Sequence, residues 1–421
     1  MRIFHALLLA AALVSCKGPV ERITVSNETE ADRADEQFVV RRTDLRIGKS
    51  ELLPVLSLNG TPLPSQTDDM DGNGIWDELA FEVSVPAGSS LSLGVKWVPA
   101  AELPKFEQRT NIRYGKLSEP GKLEERAYDS HDKYEISQRK GPYPYQMDGP
   151  GWENDRIAMR LYIDGRNSRD ITAKKTSRMV LDTVGIGPNG NPLYTYKNMR
   201  DWGYDILAVS GSFGPGGIAL EREGRVIRLG LENKDSLDVI EKTEFQRICE
   251  GPVRSAFRMT YTDWNIGGDD RTNLSELITI WAGRNGYEEE ITVGQIPEGC
   301  NIVTGIVNSK LTTAPVRKQL DGMEAMYTFD RQSVDGQFLL GMGLLIPSDE
   351  FQGTFDAPAF RPGIRDTWLA RLKPSADGKY RYNVYNGWEH GVEPFTDAAS
   401  FGKMLEKETV RISRPLKIVL E

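Results

Sequence analysis

The stretch Arg156-Ile157-Ala158-Met159-Arg160-Leu161-Tyr162-Ile163-Asp164 decides the fold class of this chain. Every second residue from Ile157 to Ile163 is large and apolar, and the residues between them are small, charged or aromatic. This period of two is typical of a β-strand that buries one face. The same alternation, or a short apolar run, occurs at residues 38–40, 55–58, 79–83, 91–95, 256–262, 274–282, 287–293, 338–346 and 410–420. The sequence therefore predicts an all-β protein.

The composition of the 421 residues agrees with this prediction and limits the class of partner. The 41 Gly and 23 Pro residues recur at short spacing, as turns between strands require. Lys and Arg number 52 against 61 Asp and Glu, which gives a net charge of −9. We expect no nucleic-acid partner, because nucleic-acid binding relies on cationic contacts with phosphates.

Two β modules are predicted along the chain. Turn-rich sequence separates the short strand candidates of residues 38–105, which we assign to a small N-terminal β-sandwich-like module. Residues 106–421 carry the longer strand candidates and form a second, larger β module. One helix is predicted near the end, where Thr396 is the expected cap and Phe401, Met404 and Leu405 form the apolar stripe.

The N-terminus has the pattern of a targeting signal. Arg2 supplies a positive charge, and residues 6–14 form an apolar run that is too short to span a membrane. The run ends in Leu13-Val14-Ser15-Cys16, which resembles the bacterial lipobox. We therefore predict a signal peptide at residues 1–15 and a lipidated tether at residues 16–37. The expected location is the bacterial cell envelope, periplasmic or on the outer-membrane surface, with membrane contact through the lipid anchor only.

Cys249 and Cys300 are the remaining cysteines. An envelope compartment permits a disulfide between them, but they lie in separate strand candidates. The sequence favours two buried thiols and leaves the disulfide open as the alternative.

The turn from Asp69 to Glu78 places oxygen-bearing side chains on alternate residues, with a Gly at the sixth position, as at the start of a calcium loop. An EF-hand would have Glu at the twelfth position, where this chain has Ala80, and helices on both flanks. We therefore predict a structural calcium loop between strands, with an ion-free Asx turn as the alternative. The predicted ligands are Asp69, Asp71, Asn73, Asp77 and Glu78. No organic cofactor is expected.

The densest group of aromatic and charged residues runs from Tyr128 to Arg166. Aromatic rings stack on the apolar faces of sugars, carboxylates bind hydroxyls, and Arg binds a uronate carboxylate in a fork. We predict a carbohydrate site here, with a solvated face and loop packing as the alternative. The candidate binding residues, including three from later segments, are Trp152, Glu153, Asp155, Arg156, Arg160, Arg166, Asp201, Trp202 and Trp388.

His131 and His390 are the only histidines after the predicted signal peptide. Each lies beside an acidic residue and near aromatic residues, and a His titrates close to neutral pH, which suits a general acid or base. Tyr134 and Tyr162 are the second choice, because a neighbouring Arg can depress the pKa of a Tyr. Two histidines without a third ligand do not indicate a zinc site.

Several of these segments resemble a known family. Residues 148–167, residues 201–207 with the Gly-rich run 214–217, and residues 69–81 are similar to the signatures of domain-of-unknown-function family 4861. The resemblance covers most of the chain after the signal peptide. It implies a galactose-mutarotase-like super-sandwich for residues 106–421 and a role in bacterial polysaccharide utilisation. The family includes oligosaccharide dehydratases of ulvan breakdown, which remove water from a terminal uronic acid.

These observations predict a carbon–oxygen lyase that eliminates water from a terminal uronic acid of an acidic oligosaccharide. The uronate carboxylate must be neutralised, for which Arg156, Arg160 and Arg166 are candidates. A base must remove the C5 proton and an acid must protonate the leaving C4 hydroxyl, and the candidates are His131, Tyr134, Tyr162 and His390.

Three alternatives remain open. A polysaccharide lyase would share the proton abstraction and expel a sugar instead of water. A glycoside hydrolase would use paired carboxylates, such as Glu153 with Asp155, Asp201 or Asp205. A non-catalytic glycan-binding lipoprotein would use the same aromatic residues for binding alone.

Overall fold

The computed structural model describes residues 18–137, 144–231, 239–359 and 363–421. The predicted signal peptide and Cys16 lie outside these ranges, so lipidation stays a prediction. Within them the chain is nearly all β-structure with two α-helices, which confirms the predicted all-β class. No helix of the described ranges has the length and apolarity needed to cross a membrane.

The strands follow one another along the whole described chain. In order they are β1 (Arg22–Asn27), β2 (Arg33–Arg41), β3 (Leu53–Leu58), β4 (Thr61–Pro62), β5 (Ser65–Asp68), β6 (Glu78–Val85), β7 (Ser89–Val98), β8 (Thr110–Arg113), β9 (Gly115–Glu119), β10 (Lys122–Glu125), β11 (Tyr128–Asp132), β12 (Gly151–Asn154), β13 (Ala158–Leu161), β14 (Arg169–Lys174), β15 (Gly203–Asp205), β16 (Ala219–Arg222), β17 (Arg225–Arg228), β18 (Lys242–Glu250), β19 (Arg254–Asn265), β20 (Arg271–Trp281), β21 (Gly286–Val293), β22 (Asn301–Val307), β23 (Val316–Leu320), β24 (Met323–Asp330), β25 (Leu340–Pro347), β26 (Phe351–Asp356), β27 (Thr367–Leu372), β28 (Tyr380–Trp388) and β29 (Lys417–Leu420). The helices are α1 (Lys133–Ser137) and α2 (Ala398–Ser413), and short 3-10 turns span Arg42–Leu45, Ala100–Glu102 and Gln146–Asp148.

The N-terminal module is a sandwich of two antiparallel sheets. One has the strand order β29–β1–β7–β3–β4, and the other has the order β2–β6–β5. Apolar residues from both sheets fill the space between them, and Phe38 stacks on Phe81 with ring centroids 5.0 Å apart. The predicted sandwich-like module is therefore present.

Two boundaries of this module differ from the prediction. β1 lies in the range assigned to the tether, because Ile23 and Val25 alternate with polar residues and are fully buried. β29 pairs with β1, with Leu420 opposite Ile23, so the end of the chain completes the N-terminal module and not the larger one. Residues 410–420, predicted as one strand, are the last turn of α2 followed by β29.

Three sheets pack together in the described part of the larger module, and a two-stranded sheet of β9 and β10 lies beside them. The large sheet has the order β11–β18–β19–β20–β21–β28–β25–β24–β23. The outer sheet (β15–β14–β13–β12–β8) and the third sheet (β17–β16–β22–β27–β26) pack on one of its faces. A single apolar core draws on all three sheets, with Trp152, Phe257 and Ile306 as examples. This is the predicted super-sandwich.

α2 packs on the other face of the large sheet. Its predicted stripe, Phe401, Met404 and Leu405, is buried against residues of β24 and β25. The cap is Asp397 and not Thr396, since the Asp397 carboxylate accepts a hydrogen bond of 2.7 Å from the backbone three residues later.

The two remaining cysteines are free thiols, as predicted, but only one of them is buried. Cys249 is buried on β18 and Cys300 is partly exposed just before β22. Burial raises the pKa of the Cys249 thiol to about 12, so it is unreactive at neutral pH.

A buried ion triad joins the outer sheet to the large sheet. Arg169 on β14 donates to Glu276 Oε2 on β20 at 2.5 Å and to Glu289 Oε1 on β21 at 3.2 Å. All three side chains are at most 2% exposed. Burial raises the pKa of Glu289 well above its usual range, and Arg169 opposes this rise. The triad therefore holds two carboxyl groups on one guanidinium between two sheets.

Further ion pairs tie the N-terminal module to the super-sandwich. Arg254 on β19 donates to Asp68 Oδ2 at 2.5 Å and to Glu78 Oε2 at 2.8 Å. Arg109, just before β8, donates to Glu82 Oε2 at 2.9 Å. The two modules are thus held by charged contacts as well as by apolar ones.

Replacing Arg169 by Met is expected to lower the free energy of unfolding by about 3–5 kcal/mol, because Glu276 and Glu289 stay buried without their cation. Arg166→Met is the matched control: this side chain is 49% exposed and pairs with Asp164. We expect the control to change the free energy of unfolding by less than about 1 kcal/mol. Urea denaturation followed by circular dichroism measures both, and equal effects would contradict the role given to the triad.

Candidate functional site

The outer face of the outer sheet carries a polar cluster. Arg160 on β13 lies directly opposite Asp170 on β14. The strand alternation turns Met159 and Leu161 into the core and Arg160 to the opposite face. Asp205, at the end of β15, also contacts Arg160. We call this group, with Asp148, Tyr162 and Tyr196, the Arg160 cluster.

Arg160 is the centre of the cluster and is 2% exposed. Its Nη2 donates to Asp170 Oδ2 at 2.6 Å, to Asp205 Oδ2 at 2.9 Å and to Tyr162 Oη at 2.5 Å. Its guanidinium also lies 4.6 Å from the ring centroid of Tyr196. The predicted role of Arg160 as a contact for a substrate carboxylate is therefore corrected, because two protein carboxylates already occupy it.

Tyr162 is bound within the cluster. Its hydroxyl donates to Asp170 Oδ2, and the side chain is almost fully buried. Burial and then the charge of Asp170 raise the pKa of Tyr162, and Arg160 opposes them without reversing the shift. The expected depressed pKa is therefore wrong, and Tyr162 can serve as a proton donor or a positioning group but not as a base near neutral pH.

Asp205 is a carboxyl with an unused oxygen. Its Oδ1 is buried and has no hydrogen-bond partner within the described ranges. Burial and the charge of Asp170 raise the pKa of Asp205 well above its usual range, while Arg160 lowers it. Asp205 therefore favours the protonated form more than an exposed carboxyl would, and its Oδ1 makes no hydrogen bond within the described ranges.

Asp148 is a second carboxyl beside Arg160. Its Oδ2 lies 3.9 Å from Arg160 Nη1, and its Oδ1 accepts a hydrogen bond of 3.2 Å from Tyr194 Oη. Burial raises the pKa of Asp148. Asp148 and Met147 both have a positive φ, 64° and 56°, which costs non-glycine residues about 1–3 kcal/mol each. Such strain is typical of functional sites and is maintained here by the surrounding packing.

The edge of the cluster is open to solvent and cationic. The Arg166 guanidinium lies 3.9 Å from the ring centroid of Tyr162, and this Arg side chain is 49% exposed. Tyr194 is 55% exposed, and Lys197 Nζ lies 4.6 Å from its ring. The site therefore has a buried carboxyl floor and a rim with two cations and an aromatic ring.

Residues 175–202, the covering segment, position this rim. Val180, Leu181 and Val184 pack with Tyr196 against Ala158 of β13. Two predicted binding residues lie at its end. Trp202 is half-buried against this packing, whereas the Asp201 side chain is 79% exposed and pairs with Arg178. Neither belongs to the Arg160 cluster.

Two other predicted binding residues are buried in the structure. Trp152 is fully buried and packs against Phe257 and Tyr287. Glu153 is fully buried and accepts a hydrogen bond of 2.7 Å from Lys174 Nζ. The predicted roles of Trp152 as a stacking platform and of Glu153 as a ligand contact are corrected, because neither side chain is accessible to a ligand.

Asp155 and Arg156 line a shallow cavity of about 420 Å³ with Glu393. Arg156 pairs with Glu393, and Asp155 accepts a hydrogen bond of 2.9 Å from Arg109. Glu153 and Asp155 do not form the predicted hydrolase pair. Glu153 is fully buried, and only Asp155 lines a cavity that a substrate could enter.

The predicted catalytic histidines lie far from each other. His131 is on the edge strand β11 and His390 follows β28, five strand positions away, which corresponds to about 24 Å. Burial lowers the pKa of His131 to about 4, so it does not titrate near neutral pH as expected. His390 is exposed to solvent, and one side of its ring contacts the rings of Phe338 and the buried Trp388.

Tyr134 and Trp388 complete the set of predicted residues. Tyr134 lies on the short α1, 49% exposed, with Lys133 Nζ 5.2 Å from its ring. Trp388 is buried and donates through Nε1 to the backbone oxygen of Lys174 at 3.0 Å. Trp388 therefore packs the core, and the structure places neither residue beside Arg160.

The predicted calcium loop lies between β5 and β6. One carboxylate oxygen from each of Asp69, Asp71 and Asp77 lies within 4.8 Å of the other two. The Asn73 side chain accepts a hydrogen bond of 2.8 Å from the backbone of Ile75, as in an Asx turn. Glu78 pairs with Arg254 instead, so the predicted ligand set is corrected to exclude Glu78.

The sequence patterns single out Arg160, Tyr162 and Arg166 but not the carboxyls beside them. Asp148 lies within the dense segment from Tyr128 to Arg166, and Asp205 lies in the family-like segment 201–207 and is a candidate for a hydrolase pair, but neither is assigned to Arg160. Asp170 could have been found by folding β13 and β14 into a hairpin, which sets it opposite Arg160. Tyr194, Tyr196 and Lys197 had no local signal, because they come from the irregular covering segment.

Comparisons with known proteins agree with this fold. The chain is 23% identical over 292 residues to Uncharacterized protein P7 of Formosa agariphila, an alignment that covers 64% of this chain and 63% of the relative. A protein in the glycosyl hydrolase family 38 from Enterococcus faecalis matches with a TM-score of 0.50 and 10% identity, over 96% of this chain and 47% of that chain. An alpha-mannosidase from Enterococcus faecalis matches with a TM-score of 0.48 and 9% identity, over 96% and 46%.

These relatives are longer than the matched part, so the chain spans about half the length of the solved structures. The model of a family described as Domain of unknown function (DUF4861) matches residues 25–418. That range includes both β modules and the Arg160 cluster. The chain therefore belongs to the DUF4861 family.

Proposed function

We propose that the Arg160 cluster is the active site of an enzyme that eliminates water from a terminal uronic acid of an acidic oligosaccharide. The observation that carries this proposal is the pair of carboxyls, Asp148 and Asp205, that both approach Arg160 beneath a cationic rim. The solved structure of similar fold is named as a glycosyl hydrolase, which agrees with a carbohydrate ligand, although that likeness is one of fold.

The two carboxyls suit the two proton transfers of the elimination. Asp148 takes the C5 proton, and the electrons of the C5–H bond form the C4–C5 double bond as the C4–O bond breaks. Asp205, protonated through its raised pKa, gives its proton to the departing hydroxyl, which leaves as water. Exchange with solvent then returns Asp148 and Asp205 to their starting states. Two carboxyls with different environments can thus hold the acid and base roles.

The rim suits an acidic sugar. Lys197 carries a positive charge where it can neutralise the uronate carboxylate, which makes the C5 proton more acidic. Arg166 pairs with Asp164 and can contribute only where the uronate shares its guanidinium with that carboxylate. Tyr194 offers an exposed ring for stacking on the sugar. Tyr162 and Arg160 do not contact the substrate in this proposal but hold Asp170 and Asp205 in place.

Hydrolysis is the second candidate, because the same carboxyl pair could act on a glycosidic bond with water as the nucleophile. The cationic rim favours elimination, since hydrolysis of a neutral sugar requires no neutralised carboxylate. The two reactions differ in product: elimination gives an unsaturated uronate of the same chain length, whereas hydrolysis gives shorter saturated chains.

Asp205→Asn is expected to lower kcat by about 10²–10⁴-fold, because an amide cannot donate the proton. Asp148→Asn is expected to have a similar effect through loss of the base. Ultraviolet absorbance of the unsaturated product measures both rates. Asp201→Asn is the matched control, since this exposed carboxylate is outside the cluster, and it is expected to keep full activity. Full activity of the Asp205 and Asp148 variants would refute the assignment.

The pH profile should be bell-shaped for the same reason. Activity falls as pH rises through the raised pKa of Asp205, which then loses the proton it donates. Activity also falls as pH drops through the pKa of Asp148, which then gains a proton. Each single variant should remove its own limb of the profile, and an unchanged profile in both would contradict the roles.

We also propose that the loop from Asp69 to Asp77 binds a structural calcium ion. The three carboxylates at the loop are hard oxygen donors that suit this ion, and an ion bound only to the folded state stabilises it. Excess calcium should raise the melting temperature. At a calcium concentration of 100 times Kd, the free energy of unfolding should increase by about 2.7 kcal/mol. Asp71→Ala should abolish the effect and the exposed Asp269→Ala should keep it. Identical melting with calcium and with a chelator would leave only an Asx turn.

The cell-envelope location and the lipid on Cys16 are proposals that rest on the lipobox-like segment. Partitioning between detergent and water tests them, because Cys16→Ala should move the protein to the aqueous phase. Retention of that variant in the detergent phase would count against the anchor.

A further inference from the structure

A groove separates the N-terminal module from the large sheet. It is lined by β2, by one face of β20, β21 and β28, and by α2. This is the face of the large sheet opposite to the outer sheet, because Leu277 and Thr279 line it while Ile278 and Ile280 point into the core. Its volume of about 550 Å³ is in the range of small-molecule sites.

Glu288 is the unusual residue of the groove. Its side chain has exposed surface although protein surrounds it, because the exposed part faces the cavity. Burial raises its pKa, and the charges of Arg254 and Arg284 together with a hydrogen bond from the Trp281 side chain oppose the rise. Within the described ranges no salt bridge reaches Glu288.

The other carboxylates of the groove are paired, which sets Glu288 apart. Glu36 pairs with Arg411 at 3.2 Å. Glu408 pairs with Arg411 at 3.0 Å, and Glu290 pairs with two cations next to β28. Glu288 is therefore the groove carboxylate that no salt bridge reaches within the described ranges, and its lone pairs not used by Trp281 can accept from a ligand.

Two N–H groups of lining residues lack a partner. Arg284 Nε and Gln37 Nε2 are buried and make no hydrogen bond within the described ranges, and Arg284 is only 5% exposed. Trp281 Nε1 differs from them, because the Trp281 side chain faces Glu288. Arg411 Nε differs too, because it lies 3.2 Å from Glu36 Oε2. A buried donor without a partner is costly, so the two N–H groups of Arg284 and Gln37 favour a ligand that accepts hydrogen bonds.

Apolar surface lies at the mouth of the groove. Val39 on β2 is 42% exposed and Ile412 on α2 is 37% exposed, and both line the cavity. Val39 belongs to the N-terminal module and Ile412 to the helix of the larger module. A ligand seated between them would contact both the N-terminal module and the helix of the larger module.

We infer that this groove is a second carbohydrate site, which binds a neutral, hydroxyl-rich sugar unit without acting on it. Sugar hydroxyls can donate to Glu288 and accept from the N–H groups of Arg284 and Gln37 at the same time. The C–H face of the ring can pack on Val39 and Ile412. An amine would satisfy Glu288 alone and would leave the N–H groups facing a cation. The inference does not depend on the reaction proposed for the Arg160 cluster.

Titration calorimetry of the full chain with cellobiose, xylobiose and maltose tests this site. At least one of these neutral disaccharides should bind with a Kd of about 1 mM or tighter. Glu288→Ala should weaken that binding by at least about 10-fold, because the variant loses the charged acceptor. Glu298→Ala, which removes an exposed carboxylate outside the groove, and Asp205→Asn should bind as the original protein does.

Gln37→Ala is the second variant, in case Glu288→Ala fails to fold. It removes one donor from a half-buried side chain and should weaken binding by about 3- to 10-fold. Failure of all three disaccharides to bind would overturn the inference. Undiminished binding by the folded Glu288→Ala variant, or by Gln37→Ala if the former does not fold, would overturn it too.

Discussion

The position of Arg169 between two sheets is the constraint on which the larger module depends. A buried guanidinium is tolerated only while Glu276 and Glu289 hold it, so the triad fixes β14 against the large sheet. Successive residues of a strand point to opposite faces. With Arg169 turned inward, Asp170 turns outward and meets Arg160. The polar cluster on the outer face thus rests on the ion triad of the inner face.

The same sandwich offers different surfaces on its two sides. On one side the covering segment surrounds buried carboxyls with an exposed ring and two cations, an arrangement that suits proton transfer on an acidic sugar. On the other side the N-terminal module and α2 line a groove with Glu288, which no salt bridge reaches within the described ranges. Both sides bring two carboxyls onto one Arg, but only the Arg160 cluster sets them beside an exposed aromatic ring and a Lys side chain. This combination is why we assign chemistry to the Arg160 cluster and binding alone to the groove.

Local patterns predicted the fold well and the site in part. The alternation from Ile157 to Ile163 identified β13, and residues two apart on a strand necessarily share a face, so Arg160 and Tyr162 were found together. Trp152 looked like a binding residue because an aromatic residue near glycines has the same local pattern in a core as at a surface. The approach of Asp148 and Asp205 to Arg160 depends on register between strands and on a strained turn, and neither leaves a local signal. The pairing of β29 with β1 also leaves no local signal, because the two strands are distant in the sequence.

The central claim is that the Arg160 cluster removes water from a uronate without cutting the chain. The most direct measurement is mass spectrometry of the products after incubating the full chain with a saturated uronate-terminated oligosaccharide in water enriched in heavy oxygen. Elimination predicts a product of the same chain length, lighter by one water and free of the heavy isotope. Shorter products that carry the heavy isotope would show hydrolysis, and an unchanged oligosaccharide would show no reaction. Either result would contradict the account.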